Sequence, residues 1–208
     1  MTRTSRIVVA LASLLLLAVY VAPLWRIELI APQYPEGLGL RIWVDQITGL
    51  KPNDLNSING LNHYIGMRPI EPDAFPELRL MPRLVAAAVV AGLLVALIGR
   101  RAVLYAWAGL FTLGAAAGLA DFWKWGYEYG HRLDPHAAIK VPGMSYQPPM
   151  IGGKQLLNFH ATSWPDVGGW IAIAALAFVL GAAVLEWRRG RVVRAGPATA
   201  AGPLRVIA

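Results

Sequence analysis

The chain has 208 residues, of which 56% are hydrophobic and 15% charged, a composition too apolar for an ordinary soluble domain of this length. It contains no cysteine, which excludes disulfides, thiolate metal sites and c-type haem attachment. The net charge of +7 does not indicate nucleic-acid binding, because no basic face interleaved with aromatic residues exists outside the C-terminal tail.

Four uncharged apolar runs predict four transmembrane helices. The runs are 7–24, 84–99, 102–120 and 167–185, and none contains Asp, Glu, Lys, Arg or His. Their lengths match the ~20 helical residues needed to cross a bilayer, once residues 80–83 extend the second run. The predicted segments are the N-terminal end with helix 1 (1–24), a first outer segment (25–79), helix 2 (80–99), helix 3 (102–120), a second outer segment (121–166), helix 4 (167–185) and a basic tail (186–208).

The distribution of charge predicts the orientation in the membrane. The N-terminus, Arg100, Arg101 and the tail together hold nine Lys/Arg and one acid, whereas the outer segments, counted with Arg83 at the outer end of helix 2, hold ten basic and eleven acidic residues. By the positive-inside rule, both termini are cytoplasmic and both long segments lie on the periplasmic side of a bacterial cytoplasmic membrane. The sequence around Ala22 is a poor cleavage site, so we expect helix 1 to be an uncleaved anchor. The basic tail is expected to lie near anionic lipid headgroups.

The first outer segment predicts two short strands and one helix. "WRIELIA" and "LRIWVDQI" alternate in polarity and favour a hairpin with a long loop. In "KPNDLNSINGLNHYIGM", Asn53 or Asp54 is placed to cap a short helix. "RPIEPDAFPELRLMP" has four prolines and is predicted to be extended.

The second outer segment begins with "DFWKWGYEYG", which is expected to continue helix 3 by two turns and to place Trp123, Trp125, Tyr127 and Tyr129 in the interfacial belt. The remainder is rich in Pro and Gly, with a short helix predicted only at "KQLLNF". Small residues on helices 3 and 4 indicate close helix packing; they are Gly114, Gly118, Ala177 and Gly181.

All four histidines and three of the five methionines lie in the outer segments, and Met81 lies at the outer end of helix 2. Imidazole suits copper, and thioether suits Cu(I), so these residues are candidate ligands. The predicted copper ligands are His63, Met67, Met144, Met150 and His160, with His131 and His136 in reserve. His63 and Met67 are four residues apart and would share a face on a helical turn. The alternative is structural, with the methionines filling apolar gaps and the histidines bonding in turns.

Other chemistry has weaker support in the sequence. There is no phosphate-binding loop or nucleophile elbow, and the apolar runs have no charge of the kind that proton-coupled transporters and ion pumps use. Asp121 and Asp166 stand at the outer ends of predicted helices, which leaves a membrane enzyme as a distant third hypothesis.

Several sequence blocks carry a resemblance to known proteins. "PQYPEGLGL", "INGLNHYIGM", "DFWKWGYEYGH", "LDPHAAIKVPGMSYQPP" and "GGKQLLNF" resemble a family of small bacterial polytopic membrane proteins. Members are often encoded near copper chaperones of the nitrous-oxide-reductase accessory type, and the resemblance covers residues 7–186. By association it implies maturation of a copper enzyme or a respiratory complex, and it carries no ligand set.

The sequence therefore predicts an integral membrane all-α bundle of four helices with an extracytoplasmic cap of short β-strands and irregular loops. The predicted function is a non-enzymatic accessory protein that binds or passes copper at the outer face of the membrane. The alternative is a metal-free structural subunit that docks a membrane redox or photosynthetic complex, a role that the eight tryptophans also suit. Expected partners are the lipid bilayer and another membrane or periplasmic protein.

Overall fold

The computed structural model describes residues 1–194, and the side chains of residues 1–191. In chain order the elements are α1 (Arg3–Leu15), a 3-10 turn (Leu16–Tyr20), β1 (Trp25–Ala31), β2 (Tyr34–Ile42), β3 (Ile47–Gly49), α2 (Asp54–Ile65), a second 3-10 turn (Pro72–Ala74), α3 (Pro76–Ile98), α4 (Arg101–His131), β4 (Gly152–Leu156), β5 (Phe159–Pro165) and α5 (Val167–Arg194).

Four helices are long and apolar enough to cross a membrane, namely Arg3–Tyr20, Pro76–Ile98, Arg101–His131 and Val167–Arg191. This confirms the coarse prediction of a membrane protein with four spanning helices. The helix α5 continues to Arg194, so the predicted tail begins inside a helix. The rest of that predicted tail, residues 195–208, lies outside the described residues.

The four helices form a bundle in which α1 packs against both α3 and α5, and α4 packs on α3 and α5. The helices α1 and α3 are in tight contact at Gly92, where a side chain would overlap the Ser13 hydroxyl. The Ser13 hydroxyl itself donates to the Val9 carbonyl at 2.8 Å, as expected for serine inside a helix. The buried side chains of this core include Val9, Ala12, Leu16, Leu104, Trp107 and Val179.

A buried carboxylate joins three helices at one end of the bundle. Glu186 on α5 is fully buried, and its Oε1 accepts hydrogen bonds from the Thr2 amide at 2.8 Å and the Ser5 hydroxyl at 2.8 Å. Its Oε2 accepts from Arg101 Nε at the start of α4, also at 2.8 Å. The N-terminal ammonium donates to the Gly99 carbonyl at 2.7 Å. The N-terminus, the α3–α4 connection and the end of α5 therefore meet at one end, which we call the basic end.

The opposite end of the bundle carries one antiparallel five-stranded sheet with the order β3-β2-β1-β5-β4. Strands β1 to β3 come from the first predicted outer segment, and β4 and β5 come from the second, so the two segments pack together as predicted. The strands are more regular than the predicted cap of short strands and irregular loops. We call the sheet, together with α2, the sheet layer.

A hairpin of the first two strands is present, but its second strand and its loop differ from the prediction. The predicted strand "LRIWVDQI" contains the end of β2, a turn and the start of β3, and β2 covers most of the predicted loop "PQYPEGLG". Strands β1 and β2 pair in register Trp25↔Ile42, and only Pro32 and Gln33 separate them. The helix predicted at "KQLLNF" is wrong, because this stretch forms the end of β4, a tight turn and the start of β5. Leu157 in that turn has φ 54, and a six-residue helix is too short to be stable alone.

The predicted short helix is confirmed as α2, which packs against the inner face of the sheet. Asp54 opens it, and the buried carboxylate accepts from the Gly39 amide at 3.0 Å and the Lys51 amide at 3.2 Å. The proline-rich segment after α2 is not extended throughout. The helix α3 already begins at Pro76, because proline is tolerated in the first helical turn, and it continues through Pro82.

The predicted continuation of the third helix is confirmed, since α4 runs to His131. Trp123 and Tyr127 are exposed and stack on one another, in keeping with an interfacial position. Trp125 and Tyr129 instead turn inward and pack in the core of the sheet layer. The aromatic residues of this segment therefore have two roles that depend on the face of the helix.

The sheet joins the bundle through two strands that continue directly from spanning helices. The strand β1 follows α1 and its 3-10 turn, and β5 runs into α5 after Asp166. The Asp166 amide donates to the Leu24 carbonyl at 3.1 Å, and the Gly168 amide donates to the Pro23 carbonyl at 2.8 Å. A side chain on Gly169 would overlap the Leu24 carbonyl, so the backbones of these two connections touch.

We expect Gly169→Ala to lower the free energy of unfolding by about 1–3 kcal/mol, because the backbone it would strike cannot rotate away. Gly181→Ala, on the same helix, places its methyl group in open space and should be neutral or slightly stabilising. Thermal unfolding of both variants in the same detergent makes the comparison. Equal midpoints for the two variants would show that the junction is not tightly packed.

Replacing Glu186 by alanine should destabilise the protein by about 3 kcal/mol, because Arg101 and the Thr2 amide lose their buried partner. Glu28→Ala is the matched control, since it removes a half-exposed ion pair with Arg26 and should cost less than about 1 kcal/mol. Chemical denaturation of the two variants measures the difference. A loss for Glu186→Ala no larger than that for Glu28→Ala would contradict the structural role of this carboxylate.

Candidate functional site

The predicted ligands His63 and Met67 do not share a helical face. The helix α2 ends at Ile65, and Gly66 follows in the left-handed conformation with φ 78. His63 is exposed beside Tyr64, whereas Met67 is half-buried and packs against the core of the sheet layer. The spacing of four residues does not place the two side chains on one face, because the helix ends between them.

His160 lies on the face of the sheet opposite to Met67. In β5, Phe159 and Ala161 point to the inner face, where they line a cavity together with Met67. Side chains alternate along a strand, so His160 points to the outer face. Its ring lies over Gly153 of β4, and its Nδ1 is buried with no hydrogen-bond partner among the described residues.

The remaining candidate ligands lie in the irregular segment 132–151 or at the end of α4. Met144 and Met150 are half-buried, and the Met150 carbonyl accepts from the Ser163 hydroxyl at 3.1 Å. His131 is exposed, with its ring stacked on Tyr127. His136 is exposed in a turn, where its amide donates to Asp134 Oδ1 at 2.8 Å.

The structure therefore does not bring the predicted set together at one point. Within the part of the chain that the structure describes, no three side chains among His, Asp and Glu form a group suited to a metal ion. The two acids considered for catalysis, Asp121 and Asp166, lie in different environments. Asp166 lies 3.5 Å from Arg41 Nε, whereas Asp121 is exposed on α4.

A cavity of about 100 Å³ lies between the inner face of the sheet, α2 and the end of α4. Its walls are almost entirely apolar. They are formed by Ile27, Leu29, Leu40, Ile58, Leu61, Asn62, Ile65, Met67, Ile70, Trp125, Gly126, Tyr129, Tyr146, Pro148, Leu156, Phe159 and Ala161. We call this space the sheet-layer cavity.

Two wall residues each have a buried polar atom without a hydrogen-bond partner among the described residues, the Trp125 Nε1 and the Tyr146 hydroxyl. The Trp125 Nε1 lies beside the Tyr129 hydroxyl. The third aromatic donor of the wall is satisfied, because Tyr129 donates to the Pro69 carbonyl at 3.2 Å. Tyr146 is held in place by its amide, which donates to the Gly130 carbonyl at 2.9 Å. A side chain on Gly130 would overlap the backbone of the loop, so this glycine permits the contact.

Sequence reasoning did not identify Trp125 and Tyr146 as site residues. Their blocks were visible as "DFWKWGYEYG" and "PGMSYQPPM", but the first was assigned to the interfacial belt. The signal available in the sequence was the spacing of Trp125, Tyr129 and Gly130, which puts two aromatic rings and a bare backbone at one end of α4. It gave no means of recognising that two donors lack partners.

A second feature lies in the middle of α4, where the helix stands away from the bundle. The buried residues of α4 are found near its two ends and none lies between Ala108 and Gly126. Gly118 lies on the same side of the helix as Trp107 and Trp125, given a rotation of about 100° per residue. Nevertheless, a Cβ built at Gly114 or Gly118 would have no contact within 4 Å. We call the space beside Gly114, Ala115 and Gly118 the α4 gap.

The small residues predicted for close packing therefore do not pack within this chain. Gly114, Gly118 and Gly181 all face open space, whereas the tight helix contact occurs at Gly92, which was not singled out. Packing inside the chain is thus not the explanation for these glycines.

Comparison with known proteins assigns no relative to the chain. No family model matches it, and no curated protein matches it. Its function must be inferred from its own geometry.

Proposed function

We propose that the protein is a non-enzymatic accessory subunit that docks a transmembrane helix of another membrane protein in the α4 gap. The supporting observation is that a Cβ at Gly114 or Gly118 would meet no atom of the described residues within 4 Å, although Gly118 faces the bundle. This corresponds to the structural-subunit alternative, in which the partner is a membrane redox or photosynthetic complex.

The argument for a partner helix comes from the energetics of glycine. A glycine in a helix interior costs about 1 kcal/mol relative to alanine. In a bilayer, close packing against a second helix can offset this cost, because small residues let two helix backbones approach closely. Packing against lipid tails offers no comparable stabilisation. Gly114 and Gly118 are spaced by four residues, which is the spacing of such packing faces. Since residues 1–194 supply no such helix there, we assign the space to a partner.

The charges support an orientation for this subunit. Arg3, Arg6, Arg100, Arg101, Arg188 and Arg189 belong to the segments that meet at the basic end. By the positive-inside rule this end lies in the cytoplasm of a bacterial cell and the sheet layer lies in the periplasm. The docked complex would then have its periplasmic side next to the sheet layer.

A photo-crosslinking amino acid at Ala115, inside the α4 gap, should give an adduct with a second protein in native membranes. The same amino acid at Leu113, which is 68% exposed and points away from the gap, should not. Gly118→Leu should abolish the adduct at Ala115 without lowering thermal stability, because the leucine enters open space. Mass spectrometry of the adducts identifies what was captured.

Equal protein adducts at the two positions would contradict a specific docking face. Lipid adducts alone at Ala115 would mean that the gap is filled by acyl chains. An adduct with twice the mass of the chain would show that the docked protein is a second copy of this chain.

Copper handling is a second candidate, and one observation favours it. The buried Nδ1 of His160 has no hydrogen-bond partner among the described residues, so its lone pair is available to bind a metal ion. Met150, a soft ligand, lies two residues before β4, the strand that pairs with β5. We propose that any Cu(I) bound by this protein uses His160, with thioether sulfur from Met150 or Met144.

Titration of the purified protein with Cu(I) against a coloured chelator tests this candidate. His160→Ala should weaken Cu(I) binding at least about tenfold, since it removes a direct ligand. His136→Ala is the control, because this exposed histidine lies in a separate turn. Absence of competition with the chelator, or equal effects of the two variants, would remove copper from the function.

A further inference from the structure

The sheet-layer cavity combines apolar walls with unsatisfied donors, and the docking function explains neither. Its volume is about 100 Å³. An engineered apolar cavity of about 150 Å³ stays free of water and binds benzene. The present cavity has about two-thirds of that volume, so it is suited to a carbonyl group and the few carbon atoms beside it, with the rest of a larger molecule outside.

The unsatisfied donors specify the polar part of a ligand. Tyr146 is a wall residue of the cavity that is only 4% exposed, and its buried hydroxyl has no hydrogen-bond partner among the described residues. The indole N–H of Trp125 can only donate; it lies beside the Tyr129 hydroxyl but not in good hydrogen-bond geometry. Buried donors are nearly always paired in native proteins. A molecule that fills the cavity would satisfy them by presenting an acceptor oxygen.

The position of the cavity relates it to the membrane-spanning part of the protein. Trp125, Gly126 and Tyr129 form part of its wall, and they lie on the same helix as the apolar spanning residues of α4. Because these wall residues belong to a spanning helix, the cavity lies at the end of the sheet layer that adjoins the bundle.

From these observations we propose that the sheet-layer cavity binds the carbonyl-bearing end of a membrane lipophile. The Tyr146 hydroxyl and the Trp125 N–H donate to its carbonyl oxygen, and the apolar walls enclose the carbon atoms beside the carbonyl group. A quinone ring and the acyl ester of a lipid both have this chemistry. The proposal concerns binding alone and does not depend on a protein partner.

The test uses the full chain in lipid nanodiscs and three probes with ten-carbon tails: a benzoquinone, methyl decanoate and decylbenzene, which has no carbonyl. Quenching of tryptophan fluorescence measures quinone binding, and displacement of the quinone measures the other two. Tyr146→Phe should weaken quinone binding about two- to tenfold, the range expected for one hydrogen bond. It should leave decylbenzene binding unchanged. Tyr127→Phe, on the exposed face of α4, should change neither.

A second variant tests the cavity itself. Ala161→Val narrows the cavity, and valine is well suited to a strand. The variant should therefore weaken the binding of all three probes without lowering the unfolding midpoint. If Tyr146→Phe fails to fold, Trp125→Phe replaces it in the same comparison. Methyl decanoate that displaces the quinone, and depends equally on Tyr146, would identify lipid esters as ligands. Binding of the quinone alone would identify quinones.

Two results would overturn the proposal. In the first, neither carbonyl probe binds above the level of decylbenzene. In the second, the Tyr146→Phe and Tyr127→Phe variants bind the quinone equally well.

Discussion

The pairing of β1 with β5 is the constraint on which the rest of the structure depends. Each strand continues directly from a spanning helix, β1 from α1 and β5 into α5, and these two helices pack side by side in the bundle. The pairing begins with Trp25 opposite Pro165, next to the points where the two strands connect to the helices. The centre of the sheet is therefore fixed to the bundle, and the outer strands can only add on either side. The inner face of the sheet, and with it the position of the cavity, follows from this junction.

The parts of the fold that could be predicted from the sequence are those determined by local patterns. Uncharged apolar runs predicted the spanning helices, and alternation predicted β1 and the last three residues of β2. The position of α2 was also predicted, although Asn53 makes no side-chain capping hydrogen bond. The strands β4 and β5 were missed because "KQLLNF" is short enough to suit either a helix or a strand. Their pairing decides between the two, and β5 pairs with β1, a strand more than a hundred residues away in the chain. No local pattern contains that contact.

The candidate site shows the same limit at the level of single residues. His160 and Met67 were plausible joint ligands by chemistry, but the register of β5 puts His160 on the outer face of the sheet. One residue of shift would have put it beside Met67's cavity. The end of α2 at Ile65 likewise separates His63 from Met67. Conversely, the sequence could not predict Trp125 and Tyr146 as site residues. A hydrogen-bond donor indicates a binding site only when the folded structure leaves it without an acceptor.

The α4 gap and the sheet-layer cavity are consequences of how α4 is held. At the basic end, Arg101 bonds the buried Glu186, and Leu104 and Trp107 enter the bundle core. At the other end, Trp125 and Tyr129 enter the core of the sheet layer. Because both ends are anchored, the middle of the helix cannot move inward to close the gap without losing one of the two anchors. Gly118 and Trp125 lie on the same side of α4, seven residues or about 10 Å apart along the helix axis. A helix docked in the gap would therefore lie just below the cavity, so a lipophile bound there and a partner helix would be neighbours on the same face of α4.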